Sequence, residues 1–272
     1  MLKPTNDFIF KKIFGVQKNS SLLKDLLEAI LPDIQIKKVK INKDVSLERK
    51  QIAEKLGILD VVATLNDDTI VDIEMQVKDK YNTIDRSLFY GTGTYHENLF
   101  NGQDYTETPR SISIWITDYN VFDEGPFHER ARLKRDYENI ILTNKLELHY
   151  IQLPKFRKKC KRISNKLEEW LSFIKYDNME ELHMIKNDKV KKAEEELEYL
   201  TGDEETKRLA FLREKAIRDE YDALSRARKE GIAQGINSYK LEIAKKMLKK
   251  GKNINEIIEL TELTKDQIEK LK

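Results

Sequence analysis

The amino-acid sequence predicts an α/β fold over residues 1–155, followed by an all-helical C-terminal region. Three observations carry this prediction. Residues 58–65 and 69–77 are short apolar runs flanking the turn signal Asn66-Asp67-Asp68, and the second alternates residue by residue. Residues 7–31 instead space their apolar side chains as helices do. After Pro154 the composition shifts, and from 164 to 235 the chain is rich in Glu, Lys and Arg and interrupted only by Gly202 and Gly231 before Gly235.

The elements follow in chain order. Phe10, Ile13 and Phe14 mark a first helix, with Thr5 or Asn6 as N-cap and Gly15 as its stop. Leu22, Leu23, Leu26, Leu27 and Ile30 mark a second, which ends before Pro32. Ile36, Val39, Ile41 and Val45 suggest a strand of imperfect period. Residues 58–65 and 69–77 then form a β-hairpin, with Val71, Ile73, Met75 and Val77 on one side and Asp72, Glu74 and Gln76 on the other. A helix is expected over 82–101, stopped near Gly102, and a strand at Ile112, Ile114 and Ile116. Residues 133–141 and 145–153 read as two more strands or as a strand and a loop. In the tail, Leu241, Ile243, Ala244, Met247 and Leu248 lie on a helix ended by Gly251. Asn253 with Glu256, and Thr264 with Gln267, repeat a capping-box pattern, so the tail reads as three short helices.

Composition narrows the function classes. The 272 residues include 50 Lys and Arg against 48 Asp and Glu, a net charge of +2. Charged residues make up 36%, above the roughly 25% of an ordinary globular chain. Such a balance disfavours histone-like binding over the whole surface while leaving local basic patches open. The one cysteine, Cys160, excludes an intramolecular disulfide and a cysteine zinc site. His96, His128, His149 and His183 are too scattered for a His-x-x-x-His metal pair, and no phosphate-binding glycine motif or Gly-x-Ser-x-Gly elbow is present. The first residues lack the apolar stretch of a signal peptide. No run reaches the roughly 18 apolar residues of a membrane helix. The expectation is a cytoplasmic chain without a membrane partner.

The hairpin carries the chemistry. Asp60 lies on its first strand; Glu74 and Gln76 share one face of the second because the strand period is two. If the strands pair, Asp60 and Glu74 approach each other. Two carboxylates with the backbone carbonyl of Met75 would make a hard, oxygen-rich site suited to Mg²⁺ or Mn²⁺. Such a metal polarises a phosphodiester and lowers the pKa of a bound water, which Gln76 is placed to orient.

Asp60 followed by Glu74-x-Gln76 on the next strand resembles the PD-(D/E)XK nuclease core. The opening Asp7-Phe8-Ile9-Phe10-Lys11-Lys12-Ile13-Phe14, then Arg86, Tyr90, Tyr95, Gly102, Tyr105 and Pro109 before a strand, and the Lys/Glu-rich helical tail extend the match over most of the chain. Together they resemble the recombination-promoting (Rpn) nucleases, also named PD-(D/E)XK nuclease family transposases. The resemblance implies a central mixed sheet flanked by helices and a metal-dependent DNA endonuclease active in recombination, transposition or defence. It implies a nuclease-like domain over 1–155, a charged helical arm or linker over 156–237, and a small three-helix tail over 238–272 that resembles a helix-turn-helix. It makes Asp60 and Glu74 metal ligands and puts Gln76 where the wider superfamily usually has Lys. The Rpn group itself commonly has Gln there. Asp7 would add an outer contact, and Lys78 or Lys11 and Lys12 would supply the positive charge that Gln76 lacks.

Each signal has a plainer reading. Glu74, Gln76 and Asp72 fit a solvated strand face. Arg86 and Tyr90, one helical turn apart, fit a phosphate contact or packing on the sheet. Lys155, Arg157, Lys158, Lys159, Lys161 and Arg162 follow the expected nuclease domain and suggest a path for a DNA backbone, or a soluble hinge. The stretch 186–230 reads as a solvated arm or as a helix through which the chain joins a second copy. A catalytically silent DNA-binding or interaction protein on the same scaffold is the rival function.

Overall fold

The computed structural model describes residues 2–42, 61–66, 68–79, 81–97, 104–159, 162–176 and 182–271. Asp60 and Lys161 lie outside the described residues, as do Val45, Gly102, Cys160 and the beginning of the expected hairpin strand.

Helix α1 (Asp7–Phe14) starts at Asn6, whose side chain accepts from the backbone N–H groups of Phe8 and Ile9. It stops at Gly15, where a Cβ would sit 2.7 Å from the Lys11 carbonyl oxygen. Phe8, Ile9, Phe10, Ile13 and Phe14 are all fully buried. Helix α2 (Ser20–Ile30) buries Leu22, Leu23, Leu26, Leu27 and Ile30, the five positions its spacing predicts.

Six strands form one sheet among the described residues: β1 (Val39–Ile41), β2 (Val61–Leu65), β3 (Thr69–Gln76), β4 (Arg110–Thr117), β5 (His128–Arg132) and β6 (Leu146–Gln152). Their spatial order is β1-β2-β3-β4-β6-β5. The β2–β3 hairpin is antiparallel with Val61 opposite Ile73, and Asn66 turns it at φ 55°. The pairs β3–β4 and β4–β6 are parallel. Parallel neighbours need a crossover, and helix α3 (Thr83–Glu97) lies between β3 and β4 in the chain. The outcome is the mixed sheet flanked by helices that the resemblance implies.

Both faces of the sheet are covered, so β3 and β4 are buried along almost their whole length. Val71, Ile73, Met75, Ile112, Ile114 and Ile116 join α1 and α2 in the main core. Trp115, Leu148 and Tyr150 form a smaller cluster with Tyr90 of α3.

Several expectations need correction. No strand spans 133–141; the edge strand is β5, and 133–142 holds only the bridge Lys134 to Ile141. His128-Glu129-Arg130-Ala131-Arg132 lacks apolar alternation because an edge strand half in water does not need it. The basic run opens as helix α4 (Leu153–Lys159). Residues after 156 are not a free arm: α5 (Lys166–Lys175) buries Trp170, Leu171, Phe173 and Ile174, and α6 (Asp188–Gly202) buries Val190, Ala193, Leu197 and Leu200 in the main core. Phe14 meets Trp170 edge to face at 5.5 Å. The chain accordingly divides into compact units Met1–Ile217 and Arg218–Lys272, not near 155.

Helix α7 (Glu204–Lys249) runs 46 residues, so the tail's first helix is its end rather than a separate element. Helices α8 (Ile254–Thr261) and α9 (Lys265–Glu269) follow. The Asn253 side chain accepts from the N–H groups of Asn255 and Glu256, and Thr264 with Gln267 closes a full capping box. Ala244, Ile257, Leu263 and Ile268 make the small core of this unit.

Candidate active site

Strand β3 positions the central residues. Its alternation sends Val71, Ile73 and Met75 into the main core and leaves Asp72, Glu74 and Gln76 on the other face. Asp72 is 3% exposed and Glu74 2%, so this is not a solvated face. Gln76 is half-buried, and its Nε2 donates to Glu74 Oε2 at 2.8 Å. A carboxylate so buried needs partners that hold its charge.

Strand β4 supplies the adjoining wall. Ser113 pairs with Asp72, Trp115 with Glu74 and Thr117 with Gln76. The Trp115 indole N–H donates to Ser113 Oγ at 2.9 Å. Helix α3 covers these residues. The Arg86 guanidinium lies 5.4 Å from the Trp115 ring and 5.7 Å from the Tyr90 ring, and those rings stack 6.4 Å apart. A cation held flat between two aromatic rings keeps its charge in one place. The even choice between packing and phosphate contact for Arg86 thus has a structural base: it packs, and it remains half-buried rather than enclosed.

Tyr119 follows β4 and was not foreseen. Its hydroxyl lies 2.7 Å from Thr83 Oγ1. Burial pushes its pKa up to about 12, and the negative charges of Asp79 and Glu74 add to the rise against the Thr83 hydrogen bond and the Arg86 charge. The signal for Trp115 and Thr117 was available, because both alternate with the isoleucines of β4. Tyr119 left no mark in the sequence pattern.

Other expected site residues lie elsewhere. The Asp7 carboxylate is held by Arg213, whose Nε and Nη2 donate to its two oxygens at 2.9 and 2.6 Å to Oδ2 and 3.1 Å to Oδ1. Lys11 is buried on α1, the helix that packs on the apolar side of β3. Lys12 lies 5.5 Å from the Phe8 ring. Strand β3 ends at Gln76, so exposed Lys78 is in a bend and not on the same strand face. In the basic run, Lys155 is buried and donates to the Glu124 carbonyl, with Glu129 Oε1 3.8 Å away. Arg157 pairs with Asp118. Lys158 and Arg162 face solvent, and the Lys159 side chain lies outside the described residues. A continuous basic path along 155–162 is therefore absent among the described side chains.

The sequence profile of the PD-(D/E)XK nuclease family transposases matches residues 4–227. The chain belongs to that family. No curated protein and no solved structure matches it. For this PD-(D/E)XK family member, the match spans the sheet, α3 and the helices through much of α7, and it assigns a nuclease-like function. No helix among the described residues is long and apolar enough to cross a membrane.

The family's metal can be tested against the donors present. Glu74 offers hard carboxylate oxygen in a buried place, and Met75 carries a backbone carbonyl beside it; both suit Mg²⁺ or Mn²⁺. Among the described residues no group of three or more His, Cys, Asp or Glu is arranged to hold a metal. The donor chemistry fits, and the second carboxylate expected for the set, Asp60, lies outside the described residues.

Proposed function

We propose that this protein is a Mg²⁺- or Mn²⁺-dependent DNA endonuclease that hydrolyses phosphodiester bonds in recombination, transposition or defence. The observation that supports this reading is the buried Glu74 joined to Gln76 on one strand face, beneath a helix that presents Arg86. Asp60 belongs to the proposed set by position: it precedes Val61, and Val61 pairs with Ile73, the residue before Glu74.

In this mechanism Asp60, Glu74 and the Met75 carbonyl hold the metal, which when bound supplies Lewis acidity and a more acidic water. The Gln76 amide keeps the Glu74 carboxylate in one rotamer, and its oxygen accepts a hydrogen bond from the attacking water. Water oxygen forms the new bond to phosphorus, the P–O bond to the leaving oxygen breaks, and that oxygen takes up a proton. Arg86 binds a non-bridging phosphate oxygen and replaces the charge that a lysine at position 76 would bring. Tyr119 stays protonated through the neutral range and donates rather than accepts at the edge of the site.

Plasmid cleavage with Mg²⁺, comparing the natural chain with Asp60→Ala and Glu74→Ala, tests the reading. Cleavage by the natural chain and its loss in both variants supports it; equal cleavage by all three overturns it. The neutral Gln76 favours one rival, a silent DNA-binding protein on the same scaffold. That rival predicts tight DNA binding without metal and no cleavage with Mg²⁺ or Mn²⁺.

A further inference from the structure

The connection between β5 and β6 is a two-stranded ribbon exposed to water. The Leu142 N–H donates to the Leu133 carbonyl at 3.0 Å and the Arg135 N–H to the Ile140 carbonyl at 2.8 Å, with Lys134 bridged to Ile141. These pairs put Leu133, Ile140 and Leu142 on one face and Ile141 on the other, with Tyr137 in the turn. All five are exposed: Leu133 50%, Tyr137 80%, Ile140 43%, Ile141 39% and Leu142 64%. No other ten-residue stretch among the described residues gathers as many exposed large apolar side chains.

A ribbon that is apolar on both faces and in water on both faces lacks a core of its own. At these exposures its side chains leave on the order of 500 Å² of apolar surface in water, the size of the largest patch on an ordinary monomer and often a functional one. A standard interface buries roughly 800 Å² per partner, so the ribbon supplies the apolar centre and its polar neighbours the rim. The ribbon also leaves the sheet at the wrong end for the candidate active site. Arg132 pairs with Glu147 near the start of β6, whereas Gln76 pairs with Thr117 and Thr117 with Gln152 at the opposite end.

We propose that the ribbon 133–142 is the contact through which two copies of this chain associate about a two-fold axis. Its charges are self-complementary: basic Lys134 and acidic Asp136 flank the turn, and a two-fold reverses their order so that each faces its opposite on the second copy. A nucleic-acid partner fits less well, because Asp136 interrupts the cations and the apolar side chains dominate. The association does not depend on the activity proposed above.

Sedimentation equilibrium of the full chain over about a hundredfold range of concentration tests the proposal. The natural chain is expected to pass from one-chain to two-chain mass. Leu133→Asp combined with Leu142→Asp is expected to stay at one-chain mass, with an unchanged circular dichroism spectrum because both side chains are already in water. Ile84→Asp combined with Phe89→Asp, on the exposed side of α3, is expected to associate like the natural chain. Lys134→Glu and Asp136→Lys are each expected to associate more weakly alone and to recover two-chain mass when mixed. One-chain mass for the natural chain throughout overturns the proposal. So does undiminished association of the ribbon variant, loss only in the α3 variant, or a mixture of the charge variants that does no better than either alone.

Discussion

Two buried glutamates, Glu74 and Glu147, sit in one sheet at 2% exposure each and are treated in opposite ways. Glu147 on β6 accepts from Arg110 Nη2 at 2.8 Å and lies 3.4 Å from His149 Nε2. Burial pushes its pKa up, but the His149 hydrogen bond and the Arg110 charge outweigh that and hold the carboxyl below its ordinary value. His149 in turn lies 3.0 Å from His128 Nε2, so the chain of contacts runs from Arg110 to the edge strand. Glu74 instead shares its face with Gln76, a neutral amide that orients it without neutralising it. A carboxylate locked by a guanidinium and an imidazole serves the fold. One oriented by an amide beside a clamped arginine is suited to a ligand.

The sharpest way to break this contrast is to neutralise each carboxylate without changing its shape. Glu74→Gln is expected to reduce plasmid cleavage by at least about 100-fold, the scale of a single electrostatic contact in a transition state, while urea unfolding shifts little. Glu147→Gln should do the reverse. Breaking a buried charge pair costs about 3 kcal/mol, read as an earlier urea midpoint, with cleavage retained under folding conditions. If Glu74→Gln unfolds the protein and cleavage survives in the remainder, the roles are wrongly divided.

Gln76→Lys tests the same division from the other side. It is expected to keep or raise cleavage by restoring charge beside Glu74, and complete loss counts against the place assigned to Gln76.

Acid should act through the Glu147 side. Burial, with His149 and Arg130 nearby, pushes His128 down to about 4. Between about 4 and the ordinary value of 6.5, the unfolded chain binds a proton that the folded chain refuses. The His128 contribution is therefore whole above pH 6.5 and is lost as pH falls through that window. Glu147, held below its ordinary value, likewise contributes above that value and loses its contribution as pH falls through the lowered folded value. His128→Gln is expected to flatten the stability profile between pH 6.5 and 4, measured by urea unfolding at each pH. An unchanged slope would assign the titration to another group.

The smallest expected effect is that of Arg110→Lys. It keeps the charge opposite Glu147 and loses the planar fork, at about 1 kcal/mol in the same unfolding assay.

Much of the candidate site was legible because strand period is a local property. Asp72, Glu74 and Gln76 fall on one face by counting residues, and Trp115 alternates with Ile114 and Ile116 in the same way. Helix spacing placed the buried side chains of α1 and α2, and Thr264 with Gln267 announced its capping box. Pairings between distant residues were not legible. Lys155 and Arg157 read as a basic path because their acceptors, Glu124 and Asp118, come from a loop earlier in the chain. Strand β5 escaped because an edge strand carries no compulsory alternation, and the apolar letters just beyond it belong to an exposed ribbon.

The sequence by itself determined membership of a nuclease-like family, the α/β order of elements and the polar face of β3, all of which rest on residue type and short-range periodicity. Only the tertiary structure decided which charges are already taken. Asp7 is bound by Arg213 across 206 positions of chain, Glu147 by Arg110 across 37, and Arg86 is pressed between Tyr90 and Trp115. A charge buried on folding must find its partner wherever the fold brings one, and that meeting is a property of packing, which no local pattern encodes.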